Sequence, residues 1–179
     1  PHEPEVAGDG MSLAEEFCIG TNKIIPQRFN EAKPGETFMK IGTGNLVKPD
    51  DGKPYAFSAT YKNADSGKWK VKSKNNSIEF VHTLKDPYGF GYIYTKKMEL
   101  VKGLPVLKIT HSLKNTGEKT IVADQYCHNF FTIDYQDIGP GYEAEFFFPV
   151  KFKNDLSGNA IIENNTIKII SELKGGIFS

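Results

Sequence analysis

The chain has 179 residues, enough for one domain with a sizeable core and short for two. Lysine plus arginine and aspartate plus glutamate both number 22, so the formal net charge is zero at pH 7. Whole-chain charge therefore supplies no long-range field toward nucleic acid or an anionic membrane, and no apolar stretch approaches the ~20 residues of a spanning helix.

Seventeen glycines, ten prolines and 12% aromatic residues predict short strands joined by turns. The expected fold class is all-β, an antiparallel β-sandwich occupying residues 1–179 as one domain. With only Cys18 and Cys127, a disulfide framework is excluded, while one bridge or two free thiols both stay open. The chain starts Pro1-His2-Glu3-Pro4, without an initiator methionine or a signal-peptide pattern. The expectation is that an upstream segment was removed, and a periplasmic or secreted location follows if that segment was a signal peptide.

In chain order, residues 10–17 hint weakly at a helical turn, and Lys33-Pro34-Gly35-Glu36 and Lys48-Pro49-Asp50-Asp51-Gly52 are turn chemistry on either side of a strand over 38–47. Strands follow over 68–74, 77–85 and 91–101, broken at Asn75-Asn76 and Asp86-Pro87-Tyr88-Gly89. Further strands are predicted over 105–114, 120–134, 142–153 and 166–173, with a polar connection over 154–165. The C-terminal cluster of Phe146, Phe147, Phe148, Phe152 and the isoleucines from Ile161 to Ile170 has little sequence left to cover it. The expectation is a sandwich missing its last strands, completed by a further segment or a partner chain.

Residues 120–134 carry the densest chemistry. Period-2 alternation puts Val122, Asp124, Tyr126, His128, Phe130 and Thr132 on one face of a strand whose polar groups need partners. A concave surface that receives a hydroxyl-rich ligand would supply them. Residues 80–134 resemble galactose mutarotase-like (aldose 1-epimerase) proteins in the order of their motifs. These are Asp86-Pro87-Tyr88-Gly89-Phe90-Gly91-Tyr92, Lys97-Met98-Glu99-Leu100, Leu107-Lys108-Ile109-Thr110-His111-Ser112-Leu113-Lys114-Asn115-Thr116-Gly117 and Tyr126-Cys127-His128-Asn129-Phe130-Phe131. The last element keeps the family's histidine and aromatic pair but lacks the asparagine before the histidine.

The resemblance implies a sugar ligand and, in enzymatic members, acid–base interconversion of the anomers of an aldose, with no metal and no cofactor. It makes His128 the general acid. The family's basic glutamate has no counterpart near the end of this chain, so the base lies outside it or early within it. Substrate contacts are expected from Asp124, Tyr126 and Phe130, with Arg28 and Glu16 contributing from the early segments. The alternative is a non-catalytic carbohydrate-binding module of the same fold.

Blander readings compete at each position. His111 runs in register with Leu107, Ile109 and Leu113, and His82 with Ile78, Phe80 and Leu84, as hydrogen-bonded core histidines would. Glu15 and Glu16 read as a solvated pair or as a carboxylate supplied to the site. Arg28, the only arginine, offers a planar fork to hydroxyls or a carboxylate. Trp69, the only tryptophan, either packs in the core or stacks on a sugar ring.

Overall fold

The computed structural model describes residues 10–17, 24–132, 138–149, 151 and 158–172, and for 10–14, 16 and 128–132 it describes the backbone alone. The chain is all-β, with antiparallel sheets and no helix among the described residues. The described residues fall into two compact units, one within residues 14–128 and the other made of residues 10–13 and those described from 129 onward.

The first unit centres on four antiparallel strands in the order β5 (Lys68–Lys74), β6 (Ser77–Lys85), β7 (Gly91–Leu100) and β8 (Leu107–Asn115). Asn75-Asn76 closes the β5–β6 hairpin, because Lys74 pairs with Ser77 and leaves two residues for the turn. Asp86 stops β6: its Oδ1 accepts from the backbone N–H groups of Tyr88 and Phe90, so the chain turns instead of continuing the ladder. In β8, Leu107, Ile109, His111 and Leu113 are half-buried and the residues between them are exposed, as period-2 patterning requires.

The predicted strand over 38–47 is a hairpin. β2 (Thr37–Lys40) and β3 (Gly44–Val47) pair through a turn in which Gly42 has φ 77°, a conformation that side-chain-bearing residues rarely adopt. The short β4 (Asn63–Asp65), not anticipated, pairs with β3 across a bulge at Asn45/Leu46. The helical hint at 10–17 is also corrected, since Gly10–Phe17 is strand β1 and pairs with β9 (Gln125–Thr132). β9 keeps only the later part of the strand predicted over 120–134, so Asp124 precedes it rather than sharing its face.

Two clusters hold this unit together. Met39, Ile41, Leu84, Tyr92 and Tyr94 pack with Phe17, Phe90, Leu113, Ile121 and Ala123 at their margin. Phe29, Phe38 and Leu46 form an aromatic-rich neighbour with Tyr55 and Tyr61. Phe38 and Tyr92 are fully buried, and removing each such side chain from water contributes roughly 1.5–3 kcal/mol.

In the second unit, β10 (Glu143–Glu145), β12 (Thr166–Ile169) and β11 (Ala160–Glu163) form a three-stranded sheet. β11 lies within the predicted polar connection. Its hairpin to β12 turns through Asn164-Asn165, with Asn164 at φ 57°, which asparagine tolerates better than most residues. Phe147 is 92% exposed, and Ile161, Ile162 and Ile170 also reach solvent.

Candidate functional site

One face of the four-stranded sheet gathers Trp69, His82, Tyr94, Lys96 and His111. Register places Trp69 on β5 opposite His82 on β6, and His82 opposite Tyr94 on β7. One pair further along, Phe80 faces Lys96, which faces His111 on β8. This face is therefore not a plain apolar surface, and each polar group on it needs a partner.

His82 is fully buried and both its ring nitrogens are occupied. Nε2 lies 2.8 Å from the Ser66 carbonyl, which can only accept, so this nitrogen carries the proton. Burial pushes the imidazole below its usual pKa despite the Ser66 bond and the Asp65 charge, favouring the neutral ring. Nδ1 then accepts from the Tyr92 hydroxyl at 2.9 Å, and that hydroxyl accepts from the Gly42 N–H at 3.0 Å. The Trp69 indole lies parallel to this fixed ring, 4.2 Å between centroids and 2° between planes, while 46% of the tryptophan stays exposed. A locked histidine thus supports a tryptophan whose other face meets solvent.

The second group joins β1 to β7 and β8. Glu15 Oε2 accepts from His111 Nε2 at 2.6 Å and pairs with Lys96 Nζ at 3.2 Å, and its side chain is only 7% exposed. His111 Nδ1 meets the Tyr94 hydroxyl at 2.9 Å, so this ring too is engaged at both nitrogens. Burial alone would raise the Glu15 carboxyl, but the hydrogen bonds and charges of Lys96 and His111 outweigh it and hold the pKa below the usual value. Tyr94 is pushed up to about 12, first by burial and then by the Glu15 charge. Cys127 is a free thiol whose pKa burial and Glu15 raise while Lys96 partly offsets them.

The expected site residues are distributed unevenly over this arrangement. Glu15, read with Glu16 as a solvated pair or as a carboxylate supplied to the site, is not solvated but buried in an ion pair; the Glu16 side chain lies outside the described residues. His82 and His111 are hydrogen-bonded within the fold, as their registers predict. His128 and Phe130 have backbone positions in β9, and their side chains also lie outside the described residues. Tyr126 is half-buried in β9, and Asp124 has a buried Oδ1 with no hydrogen-bond partner among the described residues.

Arg28 pairs with the Glu36 carboxylate, donates to the Thr37 carbonyl at 2.5 Å and lies 3.3 Å from the centre of the Tyr88 ring. It also lines an open cavity of about 230 Å³ with Gln27, Asn30, Glu31 and Val122. Gln27 fixes one wall there, its side-chain amide bonding both the N–H and the C=O of Val122. Lys96 and Tyr94 were not anticipated. The signal was present in β7, where Tyr92, Tyr94, Lys96 and Met98 alternate onto one face and a charge among them requires a counter-charge from elsewhere.

Among the described residues no group of three or more His, Cys, Asp or Glu side chains is arranged to hold a metal ion. No helix among them is long and apolar enough to cross a membrane. Compared with known proteins, the sequence matches no family model and no curated protein, and the fold matches no solved structure.

Proposed function

We propose that this protein binds a carbohydrate, with the sugar ring stacked on the open face of Trp69. The supporting observation is the tryptophan held half-exposed on a buried, doubly bonded histidine. A rigid aromatic face matches the apolar C–H face of a pyranose at little cost in side-chain entropy. Val71, 56% exposed and two residues along β5, extends the apolar strip. Asp65 at the end of β4, whose Oδ1 accepts from the Gly67 N–H at 2.9 Å, supplies a carboxylate acceptor for sugar hydroxyls. Because the internal bonds of His82 and His111 occupy all their ring nitrogens, neither is free to move a proton to a ligand, which favours binding over turnover by these two residues.

Trp69 is the only tryptophan, so its emission reports the site directly. Titration with a panel of neutral oligosaccharides should shift or quench that emission saturably, and calorimetry should show Trp69→Ala losing at least about tenfold in affinity, or ~1.4 kcal/mol. A panel without any saturable response, or full binding by Trp69→Ala, would overturn the reading.

The pairing of β9 with β1 favours a second reading. It sets the backbone of the strand carrying His128 beside the strand carrying Glu15, an early carboxylate of the type an anomer-interconverting pair requires. In that case His128 is the acid and Glu15 the base. Polarimetry on freshly dissolved α-glucose and α-galactose should then show mutarotation faster than buffer and abolished in His128→Ala; a rate equal to buffer removes this reading and leaves the binding one standing.

A further inference from the structure

The opposite face of the same sheet has a different chemistry. Alternation puts Lys68, Lys70, Lys72 and Lys74 of β5 on it, all exposed. Register adds Lys85 from β6, Lys97 from β7 and Lys108 and Lys114 from β8. The acidic residues on this face are Glu79 and Glu99, and both sit among lysines. Glu79 pairs across the strands with Lys72 and Lys97. Glu99 pairs with Lys108 and bonds Lys97. A chain of zero net charge thus concentrates positive charge on one sheet surface.

Edge strands carry lysine to block unwanted strand pairing, but that role needs charge on the edge alone. Here the lysines continue from β5 to β8, across the whole width of the sheet. The surface is about 20 Å along β5 and about 14 Å across the strands, from ordinary strand rise and spacing. It holds no arginine and no aromatic side chain, only Ser, Thr, Val and Ile between the charges. Bidentate and stacking contacts to nucleic acid use arginine forks and aromatic side chains, which this face lacks, so it would offer a nucleic acid phosphate contacts alone. Hydrated lysine ammonium groups at regular strand spacing suit a flexible polymer with carboxylates along its length, which they can meet as point charges.

We propose that this lysine face is a docking surface for an anionic polysaccharide of the polyuronate type. It is separate from the Trp69 face, so either reading can fail without the other. The probe is polygalacturonate, compared with the same polymer methyl-esterified to remove its charge, using calorimetry or affinity electrophoresis on the full chain. The protein should bind the charged polymer, lose at least about tenfold in affinity between roughly 50 and 200 mM NaCl, and ignore the esterified one. Lys70→Gln/Lys72→Gln/Lys108→Gln, three exposed positions away from the core, should weaken binding at least about tenfold with an unchanged circular dichroism spectrum. Absence of binding to the charged polymer, equal binding to the esterified one, or full binding by the triple variant would overturn the proposal. Tighter binding to single-stranded DNA than to polygalacturonate would overturn it in favour of a nucleic-acid surface.

Discussion

Glu15 shows how one side chain can be legible in type and illegible in role. Beside Glu16 in a polar-looking segment it reads as solvated, yet in the fold it meets Lys96 and His111 in a nearly dry setting. Removing its charge leaves Lys96 facing a neutral amide, so Glu15→Gln should destabilise the chain by about 2–4 kcal/mol, read from the urea midpoint at pH 7. An unchanged midpoint would mean that the pair contributes nothing. The pH dependence has a definite sign. The folded carboxyl titrates below its unfolded counterpart near ~4.3, so its stabilisation is complete above that value and is lost as pH falls through the lower, folded pKa. In Glu15→Gln this part of the acid sensitivity should be missing. Lys96 was readable in principle as a charge on an apolar strand face, but not its partner, because Glu15 lies far from both Lys96 and His111 in sequence, 96 residues from the latter.

Strand positions were recovered where turn chemistry punctuates the chain and missed where a glycine lies inside an apolar run. The boundaries of β5 and β6 agree with the sequence reading because Asn75-Asn76 and Asp86-Pro87 mark their ends. Residues 38–47 instead hide a turn at Gly42 within a continuous-looking strand. The β6–β7 loop and the loop that follows β8 meet at Gly117, whose backbone N–H reaches the Gly91 carbonyl at 3.2 Å. A Cβ there would lie 2.5 Å from Gly89 O and from Gly91 N, backbone atoms that cannot swing aside. Gly117→Ala should therefore cost about 1–3 kcal/mol and lower Tm by several degrees in a thermal melt followed by circular dichroism. A melt superimposable on that of the parent would show that the two loops separate without penalty.

Across the whole molecule, protection from exchange should follow the ladders. β6 and β7 are paired on both sides and carry fully buried Leu84, His82 and Tyr92, whereas β5 is an edge strand with every residue exposed. Hydrogen exchange followed by mass spectrometry should find the slowest amides in β6 and β7 and faster ones in β5 and in the three-residue β10. Slower exchange in β5 than in β7 would contradict this ordering. The all-β class, the positions of the central strands and the structural character of His82 and His111 could be read from residue types and period-2 alternation, because those are local consequences of strand geometry. The pairing of β1 with β9, the ion pair on Glu15, the histidine beneath Trp69 and the lysine face were decided only by tertiary structure. Each depends on which strands become neighbours and in what register, and that is settled by packing between residues far apart in the chain.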